Sequence, residues 1–229
     1  MDNVFEKAVS DFFSNRFKGS LLIHNTYGLP DEMPLEVYFR GEEDLSDLES
    51  YALDLCNGSV LDVGAGLGAL TLIQQKKGIR VDALEISSVF SEIMMQRGVK
   101  SVINENFLTR KPTKQFDTLL MMMNGFGLCG TIAQLPNLFE AIHRHLGLNG
   151  QVIFDSSDIS YLYDSDKPVD PYYGEMSYQY EYAGDLGSWF KWLYIDAESL
   201  GAEAERNGFD LQVLYTEETG QYLGRLTRK

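Results

Sequence analysis

Nine consecutive residues, Val60-Leu61-Asp62-Val63-Gly64-Ala65-Gly66-Leu67-Gly68, concentrate this chain's capacity for ligand chemistry. An apolar run ends on a carboxylate, then turns through three glycines into the amphipathic stretch Ala69 to Lys77. Glycine serves where backbone angles are closed to other residues, and where backbone must lie against a ligand with no Cβ between. A strand, a glycine-rich turn and a helix N-terminus, in that order, present free N–H groups to a nucleotide-like molecule. Glu85 stands 21 residues beyond Gly64, at the end of the next apolar run, Arg80-Val81-Asp82-Ala83-Leu84-Glu85. The second strand of such a unit offers a carboxylate there to ribose hydroxyls. These spacings predict an adenosine-containing cofactor.

Gly64-x-Gly66-x-x-Ala69 also fits the dinucleotide fingerprint, so an NAD(P)-dependent oxidoreductase is one reading of the glycines. Asp62 weighs against it. A carboxylate at the tip of the first strand suits a cationic amino-acid amine and would repel a pyrophosphate.

With these residues the chain resembles the class I S-adenosylmethionine-dependent methyltransferases. Their first motif, D/E-x-G-x-G-x, is matched from Asp62 onward, and Glu85 matches the ribose-binding acid after the second strand. Phe116-Asp117-Thr118-Leu119-Leu120 matches the F-D-x-h-h opening of the fourth strand. Leu146-Gly147-Leu148-Asn149-Gly150 stands where the family has L-K-P-G-G before a fifth strand, Gln151 to Asp155. The likeness covers roughly residues 58 to 155 and extends to the C-terminal helix and strand pair.

The resemblance implies an α/β fold: a Rossmann-like, doubly wound sheet of seven strands, mostly parallel with an antiparallel C-terminal strand. It implies S-adenosyl-L-methionine as cofactor, held by Asp62, Gly64, Ala65, Gly66, Glu85, Ile86, Asn106, Phe107, Met123 and Asn124. Asp62 would face the methionine amine and Glu85 the ribose, with Arg40 a candidate for the cofactor's carboxylate. Two departures matter. The loop after the third strand reads Asn104-Glu105-Asn106-Phe107 where the family often carries Asp, so Asn106 would meet the adenine amine through its carbonyl oxygen. Asn124-Gly125-Phe126-Gly127 replaces the N-P-P-Y/F clamp of enzymes that methylate base or amide nitrogens, which argues against a nucleobase amine as acceptor.

Methyl transfer depends on alignment and water exclusion, and a general base is needed only if the acceptor is protonated. Asp155, Asp158 and Tyr161, around the end of the fifth strand, are the catalytic candidates. A non-catalytic binding or regulatory subunit on the same fold is the alternative reading.

The elements that must position these residues fall into four stretches. Residues 1–57 form an N-terminal helical and extended cap, with a predicted helix over 2–17, an extended run over 21–40 and a helix from Asp44 to Cys56. Residues 58–155 alternate strand and helix as the cofactor-binding core. Gly78 and Gly98 sit at helix C-caps, and Thr131-Ile132-Ala133-Gln134 reads as a capping box for a helix reaching Leu146. Residues 156–195 are an insert in which Met176 to Tyr182 and Ser188 to Tyr194 flank Gly184-Asp185-Leu186-Gly187, a β-hairpin pattern. Residues 196–229 supply a helix to Asn207 and two closing strands, Phe209 to Tyr215 and Gln221 to Thr227.

The insert is the expected substrate lid. Residues 161 to 194 hold eleven aromatics, and their carboxylates include Asp164, Asp166, Asp170, Glu175, Glu181 and Asp185. Such a surface suits a planar or cationic small molecule, or a second subunit, so a homodimer through the aromatic hairpin is a further expectation. His143 and His145 are expected on a solvated helix face.

Composition sets bounds on partners. The net charge is −15, with 19 basic against 34 acidic residues and no basic cluster, so nucleic acid is a poor partner. No stretch approaches the roughly 20 apolar residues of a membrane helix. Met1 to Lys7 lacks the features of a signal peptide. Cys56 and Cys129 are single and far apart, predicting neither disulfide nor metal motif. A cytoplasmic enzyme is the expectation.

Overall fold

The computed structural model describes residues 3–163 and 167–229. Asp164 and Asp166 of the insert, and the start of the predicted N-terminal helix, lie outside the described residues. Helix α1 (Asn3–Phe13) leads into strands β1 (Leu22–Asn25) and β2 (Asp31–Glu32) and helix α2 (Asp47–Leu55). The alternating core follows: β3 (Ser59–Val63), α3 (Ala69–Lys76), β4 (Arg80–Glu85), α4 (Ser88–Arg97), β5 (Val102–Asn104), β6 (Phe116–Met121), α5 (Leu135–His145) and β7 (Leu146–Ser157). Then come β8 (Glu175–Tyr182), β9 (Asp185–Leu186), β10 (Phe190–Leu193), α6 (Ala197–Arg206), β11 (Phe209–Thr216) and β12 (Gln221–Arg228).

The main sheet has seven strands in the order β11-β12-β7-β6-β3-β4-β5. Strands β7, β6, β3, β4 and β5 are parallel, and β12 runs antiparallel to both β7 and β11. Near-continuous apolar runs such as Val60–Val63 are what a sheet covered on both faces requires. One face packs on α5 and α6 through Leu119, Phe139, Phe154 and Phe209; the other packs on α2 and α3 through Leu48, Ile73, Leu120 and Ile153.

A second, wholly antiparallel sheet has the order β10-β8-β1-β2, with β9 also on β8. It joins the N-terminal segment to the insert, although their sequences lie more than a hundred residues apart. Met176, Tyr178, Tyr180 and Tyr182 alternate onto one buried face of β8, and Phe190 pairs directly with Tyr178. This aromatic face is used inside the chain. Phe5 of α1 stacks on Tyr180 at 4.6 Å and meets Phe90 of α4 edge-on at 5.2 Å, while Phe17 stacks on Tyr182 at 5.1 Å.

Several boundaries differ from the sequence expectation, each for a local reason. The extended run over 21–40 becomes two short strands and a turn, Leu35–Tyr38. Helix α2 starts at Asp47, because Ser46 and Glu49 exchange the reciprocal cap bonds. No such box forms at Thr131: a tight turn at Ile132–Gln134 intervenes, and α5 begins at Leu135 with Pro136 in the first turn, where its missing N–H costs nothing. Strand β7 starts at Leu146, which pairs with Phe116 ahead of an irregularity in the ladder. His145 is fully buried rather than solvated, its ring 4.6 Å from Phe107 and its Nδ1 bonded to Ala141 O at 2.8 Å. His143 packs on Phe209 at 4.5 Å. Among the described residues no helix is long and apolar enough to cross a membrane.

Phe5 ties α1 to both the second sheet and the core. Phe5→Ala is expected to lower unfolding free energy by about 3–5 kcal/mol, the range for a buried phenylalanine, read from urea denaturation. A loss under about 1 kcal/mol would show that α1 is not integral to the fold.

Candidate functional site

From β3 the chain moves outward to β4 and β5, then returns to β6 on the other side of β3. The carboxyl ends of the strands at such a reversal leave a crevice for ligands. The cleft there is lined by Val37, Tyr38, Arg40, Asp62, Gly64, Ala65, Gly66, Leu67, Ala69, Leu70, Met122 and Met123. It brings together five residues predicted to bind cofactor (Asp62, Gly64, Ala65, Gly66 and Met123), and Arg40 with them.

Two carboxylates stand at neighbouring strand tips here: Asp62 lines the cleft, and Glu85, outside that lining, reaches it through the Gly66 N–H. Asp62 is 4% exposed, accepts a 2.6 Å hydrogen bond from Thr71 Oγ1, and is pushed up to about 6 by burial. Glu85 is 3% exposed and accepts from the Gly66 N–H at 3.0 Å and the Ser87 N–H at 2.9 Å. Burial raises its pKa against the pull of those N–H groups. The donors to the two carboxylates are a hydroxyl and backbone N–H groups, and neither acid forms an ion pair among the described residues. A carboxylate has about four acceptor positions; Glu85 gives one to the glycine turn and others to its own loop, and keeps capacity for a hydroxyl donor.

Between the two acids the glycine turn keeps space open. Gly64 has φ +71° and a Cβ built on it would meet nothing within 4 Å. Gly66 has φ +57°, and its Cβ would lie 3.8 Å from Tyr38 Cδ1. Any side chain at either position would be strained and would project into the cleft. Arg40 ion-pairs with Glu49 and keeps its Nε buried without a partner. A guanidinium so placed has a donor left over for an anionic group.

Beyond β6, Met123 and Asn124 both take left-handed backbone angles, φ 59° and 55°. Non-glycine residues there cost about 1–3 kcal/mol each and persist only where surroundings fix them. Asp155 is the fixing group. Only 1% exposed, it accepts the Asn124 N–H on both oxygens at 3.1 Å and Gln221 Nε2 at 2.8 Å. Burial pushes its carboxyl up to about 6. The Asn124 side chain accepts from Ser157 Oγ at 2.9 Å.

The remaining predicted residues sit apart from the cleft lining. Asp158 caps its own loop, taking the Ser160 N–H at 2.9 Å and the Tyr173 hydroxyl at 2.8 Å. Tyr161 is 71% exposed. Asn106 gives its amide oxygen to the Leu108 N–H at 2.8 Å, which leaves one acceptor position free. Phe107 is turned into the core against His145, and Ile86 is exposed at the end of β4. Sequence reasoning missed Val37, Tyr38 and Met122. No motif marks them, because they reach the cleft through the fold. Among the described residues no cluster of His, Cys, Asp or Glu is placed to hold a metal ion.

Residues 39–213 match a family model described as a methyltransferase domain. The chain is similar to a solved S-adenosylmethionine-dependent methyltransferase from Bacteroides fragilis, in complex with S-adenosyl-L-homocysteine. The two share 36% identity over 99% of this chain and 94% of that one, with a TM-score of 0.91. The glycopeptide N-methyltransferase MtfA, complexed with S-adenosylhomocysteine, shares the fold at 15% identity, covering 80% of this chain and 86% of its own, with a TM-score of 0.60. The CcbJ methyltransferase from Streptomyces caelestis does so at 13% identity, 80% and 89% coverage and a TM-score of 0.65. No curated protein matches the chain.

The buried acids set a pH dependence. Asp62 and Asp155 lie near 6 when folded, above the roughly 3.9 of an unfolded aspartate. The stability gained by protonating them in the folded state is complete below about pH 4 and lost as pH rises through about 6. In the unliganded protein, Asp62→Asn and Asp155→Asn should each flatten unfolding free energy against pH between those limits. An unchanged slope in urea titrations would contradict the burial of these carboxyls.

Proposed function

The chain belongs to the S-adenosylmethionine-dependent methyltransferase family, and on that premise we propose that it methylates a small-molecule acceptor. The carrying observation is the pair of buried carboxylates, neither in an ion pair among the described residues, on either side of an open glycine turn. The cofactor needs an acceptor for an ammonium, an acceptor for its ribose hydroxyls and close backbone approach, and the site supplies each. When bound, its sulfonium supplies the methyl group for an in-line displacement in which the positive charge is lost.

The chain's own residues hold and orient. We assign Asp62 to the cofactor's amine, Glu85 to the ribose diol, Gly64 and Gly66 to backbone approach, and the free donor of Arg40 to the amino-acid carboxylate. Asn106 keeps one acceptor position for the adenine amine. Asp155 fixes the turn at Met123–Asn124 beside the reacting end. In the insert Tyr178 donates to Tyr194 at 3.2 Å, and burial pushes Tyr194 upward against that bond. Aromatic walls backed by a carboxylate favour a planar or cationic acceptor, and Tyr161, being exposed, is the candidate to touch it. The buried, unpaired thiols of Cys56 and Cys129 accord with a reducing cytoplasm.

Calorimetry with S-adenosylhomocysteine tests this reading. The unaltered protein should bind at micromolar affinity and Gly66→Val should abolish binding; no binding by the unaltered protein would defeat it. Because an ammonium favours ionised Asp62, affinity should be full above about pH 6 and fall below it, approaching about tenfold per pH unit. Asp62→Asn should weaken binding at pH 7.5 and remove that dependence. An affinity flat down to about pH 5 in the unaltered protein would separate Asp62 from the amine.

A further inference from the structure

Arg97 occupies the last turn of α4, outside every sequence motif. Its Nη1 donates to Tyr38 O at 3.0 Å and to Leu67 O, and its Nη2 donates to Phe39 O at 3.2 Å. The guanidinium carbon also lies 4.9 Å from the centre of the Phe39 ring. No ion pair with a carboxylate holds it among the described residues. One guanidinium therefore joins two segments that have no secondary structure in common. Leu67 belongs to the glycine turn, whereas Tyr38 and Phe39 belong to the stretch that carries Arg40 over the cleft.

Apolar packing also holds that stretch: Leu35 and Tyr38 share a cluster with Leu67, and the Tyr38 ring meets Phe5 at 5.5 Å. The stretch is a single tight turn, Leu35–Tyr38, and neither it nor the residues up to Arg40 join either sheet. Phe39 packs on Phe12 and Phe13 of the N-terminal helix, which fixes its outer side. On the inner side the Tyr38 ring lies beside Gly66, and the fork of Arg97 ties the Tyr38–Phe39 backbone to the loop beneath. Arg40 follows directly after Phe39, and with Glu49 its side chain closes the cleft beside Asp62.

We infer that Arg97 is a positioning residue for the cofactor's amino-acid end: it clamps the Tyr38–Phe39 backbone to Leu67 so that Arg40 meets the amino-acid carboxylate. This rests on the methyltransferase reading above and adds the part that presents Arg40. A planar fork with several fixed donors suits the task, because three carbonyls from two segments converge on it. Arginine to lysine is not conservative there, since an ammonium cannot reproduce the fork.

Two ligands separate clamping from general support. S-Adenosylhomocysteine carries the amino-acid end; 5′-methylthioadenosine keeps the adenosine and lacks it. By calorimetry, Arg97→Gln should weaken S-adenosylhomocysteine at least tenfold and change 5′-methylthioadenosine less than twofold, with Arg97→Lys intermediate for the first ligand. Arg40→Gln should show the same selectivity, and the double variant Arg40→Gln/Arg97→Gln should lose no more than Arg40→Gln alone. If Arg97→Gln does not fold, the selectivity of Arg97→Lys decides. Equal weakening of both ligands, no weakening of either, or additive losses in the double variant would overturn the clamp while leaving the cofactor assignment in place. Failure of the unaltered protein to bind either nucleoside would instead remove the methyltransferase reading.

Discussion

Two carboxylates buried at the tips of adjacent parallel strands, neither in an ion pair among the described residues, are the constraint around which this molecule is organised. Burying an ionised carboxylate is unfavourable unless hydrogen bonds or an opposite charge compensate it. Asp62 has one hydroxyl donor and Glu85 two backbone donors, and both acids are pushed upward all the same. In the reading proposed above, the site is completed by a ligand that brings positive charge to Asp62 and hydroxyl donors to Glu85. The glycine turn between them leaves open space against its backbone. S-Adenosylmethionine meets those demands, and a pyrophosphate would place negative charge where Asp62 stands.

The second sheet gives the site its surroundings. Strand β8 of the insert pairs with β1 from the N-terminal segment, and α1 lies across the aromatic face so formed. From the same helix, Glu6 accepts a 2.6 Å hydrogen bond from Ser87 Oγ, whose own N–H is bonded to Glu85. The N-terminal segment, the insert and Glu85 are thus connected by direct contacts. Burial of Tyr178, Tyr180 and Tyr182 within the chain means that the hairpin's aromatics serve first as the packing that anchors this segment.

How much was legible in the sequence follows from which signals are local. The glycine turn, Asp62 and Glu85 were readable because strand, turn and helix must succeed one another at fixed spacing to make such a crevice. The alternating core and the closing strand pair were readable for the same reason. Pairing of β1 with β8 was not, since nothing in Leu22–Asn25 names a partner more than a hundred residues away. Tyr38 and Arg97 were hidden likewise: each acts through a tertiary contact with the glycine turn. His145 misled because its spacing on α5 resembles that of an exposed residue, whereas the helix end is roofed by Phe107. Asp155 was readable as an acid at a strand end and a catalytic candidate; its partners, Asn124 and Gln221, are visible only once β6, β7 and β12 lie side by side.

A crystal structure of the protein with S-adenosylhomocysteine tests the central claim most directly. The amino group should lie within hydrogen-bonding distance of Asp62 and the ribose diol within reach of Glu85, with the nucleoside's backbone contacts at Gly64 and Gly66. Ligand density elsewhere on the molecule, or a nucleoside in the cleft with neither acid touching it, would contradict the account.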